Sequence, residues 1–352
     1  MLTRRWLARH CAALAALGRY CAALAAVATF GIGAAQAADK VSVSALTFVS
    51  SAPLFIAQDK GYFAKEGLEV EIKFFNAAQP VAVAVTSGDA DFGLTGLTGG
   101  FFNLAAKGTL RIICAQSREE KGWDFSAYVV SNKAYAAGFK SLDQFPGHSF
   151  GLTQAGSTFH YMIGRLAEKR GFDLNKLTLT PLPSVPAMLA AVKSGQVDSV
   201  IAPAQFANAM QAAGEAKIIG WVHQETPWQL GAVFTSPKMI AERRPVVERF
   251  VKAWVAAAAD YDAQFQGRDA QGKRVFGPRS GELIAIIEKY TKAKPEVIKR
   301  SLPYIDPQGR LLVRDLYEQV RWYQQQNLVD KSLDAKTVVD LSFVKGHLEV
   351  PK

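Results

Sequence analysis

Residues 81–98 read VAVAVTSGDADFGLTGLT, and residues 187–204 read AMLAAVKSGQVDSVIAPA. The two stretches share one layout. Each has an apolar run of helical character, then Ser-Gly-x-x-Asp, then a short apolar run ending in small or turn-forming residues. The shared core is Ser87-Gly88-Asp89-Ala90-Asp91 in the first copy and Ser194-Gly195-Gln196-Val197-Asp198 in the second. Gly88 and Gly195 stand where a helix ends on a left-handed residue, a conformation glycine adopts without strain. Asp91 and Asp198 then lead into strands, FGLTG and SVIAP, and read as structural turn residues. A helix returning into a parallel strand is half of a βαβ crossover, so the repeat predicts two similar α/β lobes. In open α/β sheets, ligands bind beyond the carboxyl ends of the strands. Thr95, Gly96, Leu97 and Thr98 at the end of the first strand, and Pro203, Ala204 and Gln205 at the end of the second, are therefore expected on facing walls of a cleft.

Toward the N-terminus the chain opens with MLTRRWLARH, basic and free of acids, followed by an Ala/Leu-rich run ending at Ala35-Gln36-Ala37. A charged start, an apolar stretch and an A-x-A site predict a secretory signal peptide over residues 1–37 and a periplasmic destination. Arg19 interrupts the apolar run and argues against a transmembrane helix. Arg4-Arg5 also resembles a twin-arginine signal, and neither Cys11 nor Cys21 lies in a lipid-attachment context. Removal of the leader takes the formal charge from +10 to about +6, which favours anionic small molecules weakly. No Lys/Arg stripe with interleaved aromatics is present, so nucleic acid is not an expected partner. Cys114 would then be the one cysteine left; in the apolar run LRIICAQS it reads as a core thiol rather than a nucleophile.

Further candidates come from the same strand-end logic. VSVSALTF, residues 41–48, alternates as a first strand, and Ser50 or Ser51 can cap a helix with Pro53 in its first turn. LEVEIKF is the second strand, with Gln79 in the loop after it; LRIICAQ ends on Gln116. Trp123 either stacks on a ligand or closes its loop. HSFGLTQ restarts the pattern, and Gly156, Ser157 and Thr158 combine a strand end, small polar side chains and a helix start. His160 inside that helix reads as packed or solvated. KIIGWVHQETPW reads as a core strand or as an aromatic wall that offers His223 to a ligand. YVVS is expected as the first crossover and GAVFTSP as the return. That gives residues 38–130 as the first part of lobe 1 and 131–227 as lobe 2. Residues 228–352 return to lobe 1 and end in helices packed on it.

The run Pro53-x-x-x-Ala57-x-x-x-Gly61-Tyr62-Phe63-x-x-Glu66-Gly67-Leu68-Glu69-Val70-Glu71 resembles the NMT1/THI5-like family. That group comprises periplasmic receptors for nitrate, sulfonates, taurine and thiamine precursors that serve ABC importers. The doubled Ser-Gly-x-x-Asp, the run Gly151 to Gly156 and the tail Pro303-Tyr304-Ile305-Asp306 followed by DLYEQVRWYQQQNLVD extend the resemblance along the whole chain after the leader. It implies an α/β, two-lobed periplasmic-binding-protein fold of type II with ligand in the inter-lobe cleft. It also implies a small-molecule ligand, a permease partner at the inner membrane, and a monomer.

No metal-type His/Cys spacing, G-x-S-x-G or P-loop occurs, so no metal, cofactor or catalytic residue is expected. The expected role is capture of a sulfonate, taurine, nitrate or aromatic acid by lobe closure. The alternatives are a thiamine-pyrimidine-precursor receptor and, within the same family, a desulfinase-type enzyme using Cys114.

Overall fold

The computed structural model of the protein describes residues 37–351. The expected leader, apart from its last residue, lies outside them. Ten strands build two five-stranded sheets. They are β1 (Asp39–Leu46), β2 (Leu68–Phe75), β3 (Phe92–Gly96), β4 (Arg111–Glu119), β5 (Ser126–Ser131), β6 (Ser149–Leu152), β7 (Thr178–Pro181), β8 (Ser199–Pro203), β9 (Ala216–Trp221) and β10 (Trp228–Thr235).

The first sheet has the order β2-β1-β3-β10-β4 and the second β7-β6-β8-β5-β9. The two orders are one pattern used twice. In each, the first strand of the lobe pairs in parallel with the two strands that follow it in the chain. An antiparallel strand supplied by a crossover then separates the third strand from the last. YVVS and GAVFTSP, expected as crossovers, are therefore largely strand, in β5 and β10. Their apolar runs show strand character, but periodicity does not say which sheet a strand joins. The chain passes between the sheets at 120–125 and 222–227, the second passage carrying the short helix Val222–Glu225.

The repeated Ser-Gly-x-x-Asp does the same work in both lobes. The helices Ala78–Ser87 and Val185–Ser194 end on Gly88 (φ 83°) and Gly195 (φ 74°). Asp91 Oδ2 then accepts from the Ser42 amide of β1 at 2.7 Å. Asp198 Oδ2 accepts from the Ser149 amide of β6 at 3.0 Å and from the Ser149 hydroxyl at 3.0 Å. Each Asp pins the helix–strand return to the neighbouring parallel strand, β1 or β6, and neither lines the cleft. Asp198→Ala is expected to cost about 1–2 kcal/mol by leaving the Ser149 amide without its acceptor. Urea denaturation checks this, with Asp198→Asn recovering part of the loss.

The first lobe's core is stacked aromatic. Phe250 of the helix Pro237–Phe265 lies parallel to Phe92 at 3.9 Å and to Phe63 at 5.2 Å. Trp254 donates its indole N–H to the Ala115 carbonyl at 3.1 Å. The long helix kinks at Arg243 (φ −134°), just ahead of Pro245, whose ring disfavours helical geometry upstream. The tail is not confined to the first lobe as expected. The helix Val313–Gln325 lies against both lobes. Trp322 fits onto Gly164 so closely that a Cβ there would stand 2.1 Å from Cζ2. The neighbouring Tyr323 hydroxyl sits 3.3 Å from the Leu97 carbonyl of one lobe and 3.2 Å from the Ser157 carbonyl of the other.

Candidate functional site

A cavity lies between the two sheets at the carboxyl ends of β1, β3, β6 and β8, where an α/β sheet leaves space beyond its strands. Leu46, Phe48, Ser50, Ala78, Thr95, Gly96, Gln116 and Leu230 form the first lobe's wall. Phe125, Ser126, Thr153, Thr158, Phe159, Met162, Val185 and Pro203 form the second. The space open to the centre of a water-sized sphere is about 50 Å³. One water needs roughly 10–15 Å³ on that measure, so the chamber suits a compact molecule.

The wall is apolar with hydroxyl and amide groups set into it, and no Asp, Glu, Lys, Arg or His lines it. Thr95 Oγ1 is buried and has no hydrogen-bond partner among the described residues. Gln116 donates one long bond of 3.4 Å to the Ser50 carbonyl, which leaves most of its amide capacity unused. Positive potential comes instead from the backbone. Helices Ala52–Asp59, Ala78–Ser87, Thr158–Arg170, Val185–Ser194 and Ala204–Ala212 all begin at or within two residues of the wall. Their N-terminal ends carry partial positive charge. The first, second and last have no side-chain cap. An enclosed chamber ringed by helix starts and hydroxyls, without a carboxylate, favours an anionic or strongly hydrogen-bond-accepting head group.

The lobes are closed on one another. The Gly99 amide donates to the Gly156 carbonyl at 2.8 Å and the Val185 amide to the Asn76 carbonyl at 3.1 Å. Each is the first residue of a helix, so an N–H that the helix itself cannot satisfy finds its acceptor across the cleft.

Of the residues singled out from the sequence, Ser50, Thr95, Gly96, Gln116, Thr158 and Pro203 line the cavity. Ser51 lies behind the wall, its hydroxyl donating to the Leu46 carbonyl at 2.9 Å. Thr98 caps the helix Gly99–Ala106 by accepting from the Phe101 amide, and its hydroxyl donates to Gln79 Oε1 at 2.6 Å. Leu97 is core. Gly156 donates its amide to His160 Nδ1 at 3.1 Å, and Ser157 caps the helix that Thr158 opens. Gln205 faces the backbone of the opposite lobe.

Trp123 and His223 stand at the two passages between the lobes. The guanidinium groups of Arg268 and Arg274 lie over the Trp123 ring, at 4.5 and 4.2 Å from its centroid, on a short hairpin pairing Gly267–Arg268 with Arg274–Val275. His223 Nδ1 accepts from the Gly122 amide at 3.2 Å, which leaves Nε2–H to donate to Asp124 at 3.0 Å. It ties one passage to the other.

Thr153 escaped the sequence reading although the strand-end rule would have reached it. Ser126 and Leu230 escaped because they belong to the antiparallel strands taken for crossovers, and Phe125 because it lies in the passage just before β5. Cys114 is fully buried in the first lobe's core, where burial pushes its thiol well above the ordinary range, and it does not line the cavity. Among the described residues no group of three or more His, Cys, Asp or Glu is placed to hold a metal ion, and no helix is long and apolar enough to cross a membrane.

Two α/β lobes with this strand order, closed over a cavity between them, form the periplasmic-binding-protein fold of type II, and solved structures share it. The alkanesulfonate-binding protein SsuA from Xanthomonas axonopodis pv. citri, bound to MOPS, superposes with a TM-score of 0.71 at 17% identity over 88% of this chain and 100% of that one. The periplasmic nitrate-binding protein NrtA from Synechocystis PCC 6803 gives 0.67 at 14%, over 86% and 85%. The desulfurization enzyme DSZB gives 0.58 at 14%, over 87% and 97%. No curated protein matches the chain by sequence. The family model described as NMT1/THI5 like matches residues 49–264, more than half of the chain, and the chain belongs to that family.

Proposed function

We propose that the protein is the extracytoplasmic solute-binding component of an ABC importer. It closes its two lobes on a small ligand and delivers it, as a monomer, to a permease. The observation that carries this reading is the enclosed chamber at facing strand ends, ringed by helix starts and hydroxyls and free of charged side chains. The ligand class that suits it is a compact molecule with an oxyanion head, such as a sulfonate, taurine, nitrate or a small aromatic acid. Hydrogen-bond donors would hold the head, and Phe48, Phe125, Phe159 and Leu230 would take an apolar body.

A thiamine-precursor pyrimidine is less well served. Its exocyclic amine would meet no carboxylate at the wall, an objection that applies to taurine's ammonium as well and ranks simple sulfonates above taurine. The likeness to a desulfurization enzyme raises the question of catalysis, but the buried Cys114 offers no nucleophile to the chamber. We therefore read the protein as a receptor and not an enzyme.

A thermal-shift screen of the purified protein against sulfonates, taurine, nitrate, aromatic acids and pyrimidines tests the proposal. A ligand at ~100 times its dissociation constant stabilises by about 2.7 kcal/mol, which raises the midpoint by roughly 5 °C for a chain of this size. A shift confined to the oxyanion class is the expected result. No stabilisation by any member, together with turnover of one of them, overturns it.

A further inference from the structure

The first turns of the helix Ala204–Ala212 carry three side chains that cross the cleft, and none of them lines the cavity. Gln205 is 4% exposed. Its Oε1 accepts from the Val49 amide at 2.6 Å, and its Nε2 donates to the Thr47 carbonyl at 3.4 Å. Phe206 meets Phe48 edge to face, with centroids 5.4 Å apart. Asn208 donates to the Ser301 hydroxyl at 3.1 Å and more weakly to the Arg300 carbonyl at 3.3 Å. The helix follows β8 and belongs to the second lobe. Thr47, Phe48, Val49 and Ser301 belong to the first.

Val49 opens a single 3-10 turn, so its N–H has no acceptor within that turn. The Gln205 carboxamide presents one acceptor and one donor to the 47–49 backbone, as a strand's peptide group would. It makes this two-point contact only while the lobes are together.

We propose that Gln205 is a closure latch: a positioning residue that holds the lobes shut without touching the ligand, and so sets how long a bound ligand stays rather than which ligand binds. This rests on the receptor reading above. Its test needs no ligand, so the two fail separately.

The other inter-lobe amides are built-in reporters. Gly99 bonds to Gly156 and Val185 to Asn76, and neither touches Gln205. Amide hydrogen exchange of the ligand-free full chain is compared between wild type, Gln205→Ala and Gln205→Glu. A latch governs the opening of the whole cleft. Exchange at Val49, Gly99 and Val185 should therefore all rise about tenfold in Gln205→Ala, the rate equivalent of losing ~1.4 kcal/mol. Gln205→Glu keeps the acceptor and loses the donor, so it should fall between the two. Val43 and Ala45 inside β1 should exchange as in wild type in both variants, which shows that the lobes remain folded. Acceleration at Val49 alone would make Gln205 a local cap and overturn the proposal. Equal exchange at all three amides in wild type and variants would also overturn it.

Discussion

Gly96→Val is expected to weaken ligand binding at least a hundredfold while leaving the unliganded protein folded. Gly96 ends β3 on the first lobe's wall, and a Cβ there would stand 2.7 Å from Thr158 Cγ2 on the opposite lobe and 3.2 Å from Leu230 Cδ2. A Val side chain therefore projects into the chamber and against the facing wall. The chamber offers only about 50 Å³ to water-sized spheres, so three added carbons fill much of it and hold the lobes apart. Val suits a strand, and the bulk lies in the cleft rather than in the first lobe's core, so the fold itself loses little. Titration calorimetry with the ligand found by the screen measures the loss, and the unliganded melting point checks the fold. Wild-type affinity in this variant would place the ligand elsewhere.

Thermal stability should also depend on two carboxyls, one buried and one half-buried. Glu119, at the end of β4 where the chain leaves the first lobe, is 1% exposed, and neither carboxylate oxygen has a hydrogen-bond partner. Burial pushes its pKa up to about 8, partly opposed by the nearby Ser126. Asp315, on the helix that lies against both lobes, is pushed up to about 7 by burial, with the Gln319 side chain and the Gln229 amide opposing. A carboxyl whose folded pKa lies above its unfolded value binds its proton more tightly in the native state. Its contribution is therefore fully present below the unfolded pKa and is lost as pH rises toward the folded one. For Glu119 that window runs from 4.5 to about 8, and for Asp315 from 3.8 to about 7.

His160 and His347, whose pKa values are lowered by burial, work in the opposite sense at the acidic end, since charging them favours the unfolded chain. The difference between wild type and Glu119→Gln separates the effects. A neutral amide cannot ionise, so the variant should gain on the order of 2–3 kcal/mol over wild type at pH 8 and little at pH 5. Scanning calorimetry across that range reads this as a gap in melting temperature that widens with pH. A constant gap, or none, would contradict it.

The features legible in the sequence are those that depend on local chain chemistry. Gly88 and Gly195 announce helix ends, and Asp91 and Asp198 announce a return to the sheet, because a left-handed cap and a side-chain acceptor act within a few residues. The strand-end rule reached Ser50, Thr95, Gly96, Thr158 and Pro203 because the parallel strands end at the cleft, and Gln116 because β4, though paired only with antiparallel β10, runs in the same direction as β3. It could not reach Ser126 or Leu230. They sit on the antiparallel strands β5 and β10; β10 returns to the first sheet after the whole second lobe and β5 enters the second sheet ahead of the strands it pairs with, so only the folded arrangement reveals that pairing.

Residue type misleads when two uses share one chemistry. Trp123 has the face a ligand would stack on, but Arg268 and Arg274 occupy it. His223 offers a donor, and Asp124 takes it. Gln205 is brought to the cleft by the same logic as Gln116, yet its amide meets the backbone of the other lobe. Whether a polar side chain at a cleft serves the ligand or the closure depends on a few ångströms of lobe geometry that sequence periodicity does not encode.

The most direct test of the central claim is a crystal structure of the protein grown with the ligand identified by the screen. Closed lobes are expected, with ligand density between them, its head group within hydrogen-bond reach of Thr95, Gln116 or Thr158 and its body against Phe48 and Phe159. Ligand bound outside this chamber, or lobes held apart with the chamber empty, would contradict it.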